Sequence, residues 1–338
     1  MLPLRLAVIG LGRIWLRVHQ AQLAALRDVF VPVALCDSSA ERRDAAAREA
    51  PQAAIFDDYR QALARPDIDA ALVLTPLALN APIALAALEA GKHVIMEKPI
   101  ARSVAEGREL LAAARRAGRQ LFVTEQLAYR HAEQALAALL ARDAIGQVVF
   151  WDRVQHMEAD TAQGALRYDE APWRQSADFP LGALFDGGIH TIASLSAVFG
   201  PPTTVFASGT KLRAGYGAYD HVAMLFQYAS GVIGTLSHAT VLPSAQNHFH
   251  IHGAAGVIAV EPKRLVVERP GQPQDVVALP QENAYAAMWQ ALADALRHGG
   301  APAYTPERAL RDVATLEAVD QSIALGQRVQ LAAFPDRE

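Results

Sequence analysis

Three residues with side chains suited to acid–base chemistry stand in two short segments of the chain. Lys98 lies in "EKP" (97–99), and Asp186 and His190 lie in "LGALFDGGIH" (181–190). The four-residue spacing of Asp186 and His190 places both side chains on one helical face if the segment is helical. Oxidation of an alcohol by hydride loss needs a group that accepts the hydroxyl proton, and histidine, lysine and carboxylate together can meet that need. We therefore treat these three residues as catalytic candidates.

A glycine-containing loop near the start of the chain is a candidate dinucleotide site. The sequence "GLGRIW" (10–15) follows an apolar run and opens a predicted helix. Gly10 and Gly12 allow backbone amides to approach a pyrophosphate at the helix N-terminus. Trp15 stands where the G-x-G-x-x-G pattern has a small residue, which affects only helix–strand packing. We predict that a dinucleotide still binds, with the first helical turn leaning outward or the indole swinging toward the cleft. The alternative is a tight strand–helix turn without a ligand.

The residues after the second predicted strand bear on the choice of cofactor. Asp37 ends that strand, where an acidic side chain can bind the ribose hydroxyls of NAD and would repel the 2′-phosphate of NADP. Ser38, Ser39, Arg42 and Arg43 follow at once and could bind a phosphate if Asp37 turned away. We expect NAD, and NADP remains the alternative.

The elements that must position these residues follow two patterns. Apolar strands predicted at 4–10, 31–37, 69–76, 92–99 and 119–126 alternate with helices predicted at 14–26, 38–50, 81–91 and 104–118. This alternation is typical of a doubly wound α/β domain with a parallel sheet. Period-two segments follow at 146–158, 203–212, 221–241 and 247–262, and helices close the chain at 282–298 and 305–326. We predict a dinucleotide-binding domain over 1–125 and a second domain over 126–338 with a mainly antiparallel sheet, the two sharing a cleft. The last helices are candidates to pack back on the first domain.

Composition narrows the classes of function. A chain of 338 residues with a formal net charge of −4 gives no support to nucleic-acid binding or to a basic membrane-facing surface. The apolar start is too short for a membrane span, and no signal peptide is evident. Cys36 is the single cysteine, so no internal disulfide can form. We expect a cytoplasmic protein.

Several segments together resemble the Gfo/Idh/MocA oxidoreductases. They are "GLGRI" (10–14), "TP" (75–76), "ALEAGKHVIMEKPIA" (87–101), "GALFDGGIH" (182–190) and "EAVDQSIALGQRVQL" (317–331). The resemblance runs almost from end to end. It implies a Rossmann domain plus an α/β domain whose large open sheet often serves oligomerisation.

The resemblance also implies a role for each candidate residue. Lys98 would hydrogen-bond the reacting hydroxyl, His190 would accept its proton, and Asp186 would bind substrate and tune the histidine. The implied cofactor-binding residues are Gly10, Gly12, Arg13, Ile14, Asp37, Thr75, Pro76, Glu97 and Lys98. The sequence departs from the family pattern at positions that often hold other residues, namely Trp15, Leu77, Asn80 and Ala193.

The leading function is an NAD(P)-dependent dehydrogenase acting on a sugar, cyclitol or related polyol. Two alternatives share the fold: a glycosidase that transiently oxidises the sugar with tightly held NAD, and a non-catalytic cofactor-sensing regulator. The regulator would have no need for Lys98 and His190 together. Substrate-binding candidates are Tyr129, Arg130, Trp173 and Arg174. For the last pair, a surface loop anchored by one buried tryptophan is an equally good interpretation.

Two features of the second domain concern metals and assembly. "HFHIH" places His248, His250 and His252 on one face of a strand. All three would lie along one strand without a ligand distant in sequence, so we expect no metal and favour a subunit interface. The alternating apolar residues of "VAMLFQY" (222–228) also predict a sheet face that needs a partner. We therefore expect a homodimer or homotetramer joined through this sheet.

Overall fold

The computed structural model describes residues 2–157, 172–175, 181–182, 184–212 and 217–332. The chain forms two compact units. The first comprises Met1–Tyr129 and Asn283–Leu310, and the second comprises Arg130–Glu282 and Arg311–Glu338. Among the described residues, no helix combines the length and apolar character that a membrane span requires.

The first unit alternates strands with helices along the chain. Its strands are β1 (Leu4–Ile9), β2 (Phe30–Cys36), β3 (Ala54–Phe56), β4 (Ala70–Val73), β5 (His93–Glu97) and β6 (Leu121–Thr124). Its first helices are α1 (Gln20–Ala25), α2 (Ala40–Glu49), α3 (Tyr59–Leu63), α4 (Leu77–Glu89) and α5 (Val104–Ala117). A π-helical turn, Trp15–His19, directly precedes α1.

The second unit begins with a helix and is then dominated by strands. The elements are α6 (His131–Ala141), β7 (Val148–His156), α7 (Ile189–Phe199), β8 (Thr204–Thr210), β9 (His221–Gln227), β10 (Ile233–Ala239), β11 (His248–Gly253), β12 (Gly256–Glu261), β13 (Arg264–Glu268) and β14 (Asp275–Ala278). Next, α8 (Ala284–His298) belongs to the first unit, and α9 (Pro306–Leu325) runs from the first unit into the second. The short strand β15 (Val329–Gln330) pairs with β8.

The sheet of the first unit confirms the predicted Rossmann class. Its six strands run in the order β3-β2-β1-β4-β5-β6, and every pair is parallel. The strand order reverses between β1 and β4, and ligands of such sheets bind beyond the carboxyl ends of the strands at this reversal. All four residues of β4 are buried, as expected of a strand covered on both faces. The pair β3 and α3 was not predicted, because elements this short show no periodicity.

The sheet of the second unit has nine strands in the order β14-β13-β12-β11-β7-β10-β9-β8-β15. Only β7 and β10 are parallel, and the other neighbours are antiparallel. This confirms the prediction of a large, mainly antiparallel sheet. The sequence analysis missed α6, the edge strands β14 and β15, and β13, which lies next to β14.

The two faces of this sheet differ in burial. On one face, Trp151 of β7 is fully buried and stacks between Phe199 of α7 and Phe226 of β9, with ring centroids 5.6 and 5.8 Å away. On the opposite face, which we call the outer face, large apolar side chains are exposed at both ends of the strand order. They include Phe206 (44%), Leu225 (38%) and Ile233 (39%) toward one edge and Val276 (54%) on the other edge strand. The period-two pattern therefore builds one core face and leaves a second face with accessible apolar groups.

Candidate functional site

The glycine loop after β1 is shaped for close backbone approach. Gly10 has a φ of +97°, and a Cβ placed there would lie 2.5 Å from the carbonyl oxygen of Leu74. Its amide donates to the carbonyl of Cys36 at 2.8 Å. The loop therefore bridges the ends of β2 and β4, the strands beside β1, and only glycine fits at position 10.

The carboxylate of Asp37, immediately after β2, anchors this loop. Asp37 is buried, and its Oδ2 accepts a hydrogen bond from the Leu11 amide at 2.8 Å. Its Oδ1 accepts from the Ser39 amide, also at 2.8 Å, and Arg42 Nη1 lies 3.4 Å from Oδ2. Arg43 Nη1 donates to the backbone carbonyls of Asp37 and Ser38. Asp37 is therefore held toward the loop.

The helix after the loop opens with the π-helical turn, and this turn accommodates Trp15. The Gln20 amide donates to the carbonyl of Trp15, a bond spanning five residues instead of four. The Trp15 side chain is buried. The sequence analysis expected an outward lean or a swung indole, whereas the structure shows a buried indole at a turn that contains one more residue.

A buried hydrogen-bond network links this turn to the end of β5. His19, within the π-helical turn, is fully buried, and its Nε2 lies 3.0 Å from Glu97 Oε1. Trp289 Nε1–H of α8 donates to His19 Nδ1 at 3.1 Å. Because indole nitrogen only donates, Nδ1 must accept, and the ring proton then sits on Nε2 and points at Glu97. Thr124 Oγ1 of β6 donates to the same carboxylate oxygen at 2.7 Å.

This network keeps the Glu97 carboxylate ionised. Burial by itself would raise the pKa of Glu97, but the hydrogen bond from His19, the charge of Lys98 and the hydrogen bond from Thr124 hold that pKa below its ordinary value. Lys98, the next residue, is partly buried. A negative charge is thus maintained beside the ammonium group of Lys98.

Asn80 joins the ends of β4 and β5. Thr75 Oγ1 donates to Asn80 Oδ1 at 2.8 Å, and Asn80 Nδ2 donates to the Glu97 carbonyl at 3.4 Å. Asn80 is buried, and Pro76 is the N-cap residue of α4, which begins before the predicted start at residue 81. The sequence analysis named Asn80 only as a departure from the family pattern. In the structure it positions Thr75 and Glu97, two of the predicted cofactor residues.

In the first unit, the predicted cofactor residues share one edge of the parallel sheet. They follow or end β1, β2, β4 and β5, and they are Gly10, Gly12, Arg13, Ile14, Asp37, Thr75, Pro76, Glu97 and Lys98. A glycine-lined approach at a strand-order reversal, next to an anchored carboxylate, fits a dinucleotide. The sequence analysis missed the positioning residues His19, Asn80 and Trp289.

In the second unit, Asp186 lies in a π-helical turn, Leu184–Gly188, that leads directly into α7. Arg174 Nε donates to Asp186 Oδ2 at 2.6 Å, and both side chains are largely buried. The Arg174 guanidinium also lies over the Trp173 ring, 4.1 Å from its centroid. The structure thus brings together Asp186, Arg174 and Trp173, three residues that the sequence analysis named as candidates for contact with substrate. His190, half-buried, stands in the first turn of α7.

The helix that carries His190 is fixed by a polar chain on its buried side. Ser194 Oγ of α7 donates to Glu133 Oε1 of α6 at 2.8 Å and accepts from Arg153 Nη1 of β7 at 3.3 Å. Arg130 Nε lies 3.6 Å from the other oxygen of Glu133. Burial lowers the pKa of Arg153 to about 10. Arg130, a predicted substrate residue, is therefore part of the support of α7.

Tyr129, the remaining substrate candidate, lies at the end of the first unit. Its side chain is buried, and burial raises the pKa of its hydroxyl to about 12. The hydroxyl therefore stays protonated at neutral pH.

Comparison with known proteins identifies families, relatives and a solved structure that are similar to this chain. Residues 4–125 match the family described as "Oxidoreductase family, NAD-binding Rossmann fold", and residues 134–259 match the "GFO/IDH/MocA C-terminal domain". The chain is 29% identical to the 1,5-anhydro-D-fructose reductase of Ensifer adhaerens, over 88% of this chain and 90% of that protein. It is 27% identical to the D-apiose dehydrogenase of Paraburkholderia graminis, over 97% and 90%. The crystal structure of an oxidoreductase from Thermotoga maritima superposes with a TM-score of 0.89 at 25% identity, covering 97% of this chain and 98% of that one.

The Glu97 network predicts a specific acid sensitivity. Because the folded-state pKa of Glu97 is lowered, the unfolded chain binds more protons, and the stabilisation is complete above the ordinary glutamate pKa of about 4.3. This stabilisation is lost as the pH falls through the folded-state pKa of Glu97. We expect the Glu97→Gln variant to lose less stability than the parent as the pH falls from about 5 to about 3, the range that contains this loss, in urea unfolding of cofactor-free protein.

Glu89→Gln, an exposed glutamate at the end of α4, is the matched control and should follow the parent curve. Parallel pH profiles for the parent and Glu97→Gln would contradict the network.

Proposed function

This chain belongs to the GFO/IDH/MocA oxidoreductase family, and we propose that it transfers a hydride between NAD and a secondary hydroxyl or carbonyl group of a sugar, cyclitol or related polyol. The matched relatives named above are a reductase and a dehydrogenase of sugar-type compounds. One observation carries the proposal: an NAD-type glycine loop and the complete set Lys98, Asp186 and His190 occur in one chain. A non-catalytic regulator would not require that set.

The chain's own residues supply the acid–base part of this reaction. NAD⁺, which the residues at the ends of β1, β2, β4 and β5 would hold, would supply the acceptor for the hydride of the carbinol carbon. In the same step, a ring nitrogen of His190 takes the hydroxyl proton, since histidine titrates near neutrality. Lys98 stays charged beside ionised Glu97, holds the substrate oxygen and stabilises negative charge as it develops.

Asp186 and Arg174 are assigned to substrate binding and to the environment of His190. Their bond of 2.6 Å holds the carboxylate in one orientation, and the stacked Trp173 restricts the guanidinium. An aromatic ring next to a charged pair suits the apolar face and hydroxyl edge of a sugar ring.

The cofactor is expected to be NAD because Asp37 is anchored. Turning this carboxylate away to admit a 2′-phosphate would break its bonds from Leu11 and Ser39. Arg42 lies next to Asp37 and is mostly exposed, so it is the residue best placed to accept a phosphate once the carboxylate is gone. NADP therefore remains the alternative cofactor.

Removal of the Asp37 carboxylate should change cofactor preference. We predict tighter binding of NAD than NADP by the parent and a smaller difference in Asp37→Ala, measured by fluorescence titration with each cofactor. Asp44→Ala, an exposed aspartate on α2, should keep the parent preference. A parent protein that prefers NADP would overturn the assignment.

Removal of the acid–base groups should slow turnover without loss of cofactor. We predict that His190→Ala and Lys98→Met each lower turnover by at least about 10²-fold, the lower range for general acid–base catalysis. The substrate is first found by screening sugars and polyols for NADH formation. NAD affinity should change little, because neither side chain belongs to the pyrophosphate or ribose contacts and Lys98 acts at the reacting hydroxyl. His298→Ala, an exposed histidine ending α8, should behave as the parent.

Three outcomes would contradict these roles. Either variant could keep near-normal turnover, or it could lose NAD binding instead. Alternatively, glycosidic bonds could be cleaved with no release of NADH, which would favour the glycosidase alternative.

We also propose that the outer face joins copies of the chain into a homodimer or homotetramer. Phe206 and Leu225 are cross-strand partners on β8 and β9, and their exposure leaves an apolar patch open to water.

The lone cysteine, Cys36, is buried and needs no oxidised partner, which suits a cytoplasmic protein.

A charged residue in the apolar patch should separate the copies. We predict that Leu225→Glu lowers the solution mass toward that of a single chain, measured by light scattering at micromolar concentration. The Leu325→Glu variant should keep the parent mass, although Leu325, the last residue of α9, is more exposed (61%) than Leu225 (38%). A parent protein with the mass of one chain would refute the proposed assembly.

A further inference from the structure

A group of three histidines and one carboxylate lies on the outer face, apart from the residues assigned above. We call it the histidine cluster, and it consists of Asp152, His248, His250 and His252. The histidines alternate along β11, so their side chains share one face. Asp152 of β7 stands directly opposite His250 in the register of the two strands. Adjacent antiparallel strands thus direct all four side chains toward one spot.

The cluster has the contacts of a potential metal site. The ligand atoms of Asp152, His248 and His250 all lie within 4.8 Å of one another. His248 Nε2 is 2.5 Å from Asp152 Oδ2, and His252 Nε2 is 2.9 Å from Asp152 Oδ1. The sequence analysis set a metal aside because all three histidines follow one strand. That reason does not hold, since the neighbouring strand supplies a carboxylate.

The contacts of His248 orient its ring toward Asp152. His248 Nδ1 lies 3.0 Å from the carbonyl oxygen of Gln246, which can only accept, so Nδ1 carries a proton. The other nitrogen, Nε2, faces a carboxylate oxygen of Asp152 at 2.5 Å. Two acceptor atoms at this distance share a proton, and a bound metal ion would take the place of that proton.

We propose that the histidine cluster binds one Zn²⁺ ion through Asp152, His248 and His250. Two imidazoles and one carboxylate form an N/O ligand set that suits Zn²⁺, whereas Mg²⁺ and Ca²⁺ prefer oxygen ligands alone. Zinc bonds of about 2.0–2.2 Å in a tetrahedral site place ligand atoms about 3.3 Å apart, so the ligand atoms of His248 and Asp152 must separate slightly to admit the ion. The side chains of Asp152 (25%) and His248 (34%) are partly exposed, so the ion can enter and water can complete its coordination.

The remaining contacts of the cluster match those that orient zinc ligands. Ligating histidines usually donate their second nitrogen to a carbonyl or carboxylate, as His248 does to Gln246. His252 holds the second oxygen of Asp152 and so fixes the plane of the carboxylate. The ion would tie β7 to β11 at the centre of the sheet. The proposal does not depend on hydride transfer and assigns the ion no catalytic role.

Zinc binding is tested on the full chain after removal of any histidine tag and dialysis against a chelator. Titration with ZnCl₂ by isothermal calorimetry should give one ion per chain, and the melting temperature should rise with zinc concentration. Asp152→Asn, His248→Ala and His250→Ala should each weaken zinc binding by at least about tenfold, the lower limit found for changes around metal ligands.

His221→Ala is the matched control, because His221 lies on the same face but bonds Ser237 instead of Asp152. It should bind zinc as the parent does, and circular dichroism should show that every variant is folded. The proposal is wrong if zinc uptake does not saturate at one ion per chain, or if the cluster variants and the control lose affinity equally. It is also wrong if zinc leaves the ring NMR signals of His248 and His250 unmoved, since a proton alone would then account for the short contact.

Discussion

The hydrogen bond between His19 and Glu97 is the constraint on which the first unit's chemistry depends. His19 belongs to the turn that follows the glycine loop, and Glu97 ends the strand that leads to Lys98. One bond therefore sets the distance between the cofactor loop and the proposed catalytic lysine. Since the ring is fully buried, neither partner can turn to water, and loss of one would leave the other unsatisfied. Trp289 completes the network, so a helix from late in the chain helps to define a site near its start.

Two other candidate carboxylates are held by fixed donors in the same way. Asp37 is held by two backbone amides, and Asp186 by the guanidinium of Arg174. Each carboxylate is buried and receives hydrogen bonds from the protein, so each is held in a single orientation. Buried groups satisfied in this way are rigid, and rigidity is what hydride transfer needs, because small displacements of the reacting atoms slow the reaction sharply.

The sequence predicted local features well and distant partners poorly. The alternating strands and helices, the glycine loop and Asp37 were found because their signals lie within a few neighbouring residues. His19 looks like an ordinary core histidine of a helix, since its partners Glu97 and Trp289 are 78 and 270 residues away. The two π-helical turns have no composition signal, although both contain or adjoin proposed site residues. Asp152 was missed for the same reason as Trp289, because strand register brings it to His250 from about 100 residues away.

The outer face shows how one sheet can carry two unlike surfaces. In the strand order β11-β7-β10-β9-β8, the histidine cluster occupies β11 and β7, while the exposed Phe206 and Leu225 occupy β8 and β9. Exposed apolar groups are stabilised when another surface covers them. Imidazoles are stabilised instead when a proton or a metal ion joins them to a carboxylate. A metal at the cluster would add positive charge to that side of the face and tie β7 to β11. The exposed Phe206 and Leu225 lie beyond β10 in the strand order, so self-association through them does not require the ion, and the two properties can be tested independently.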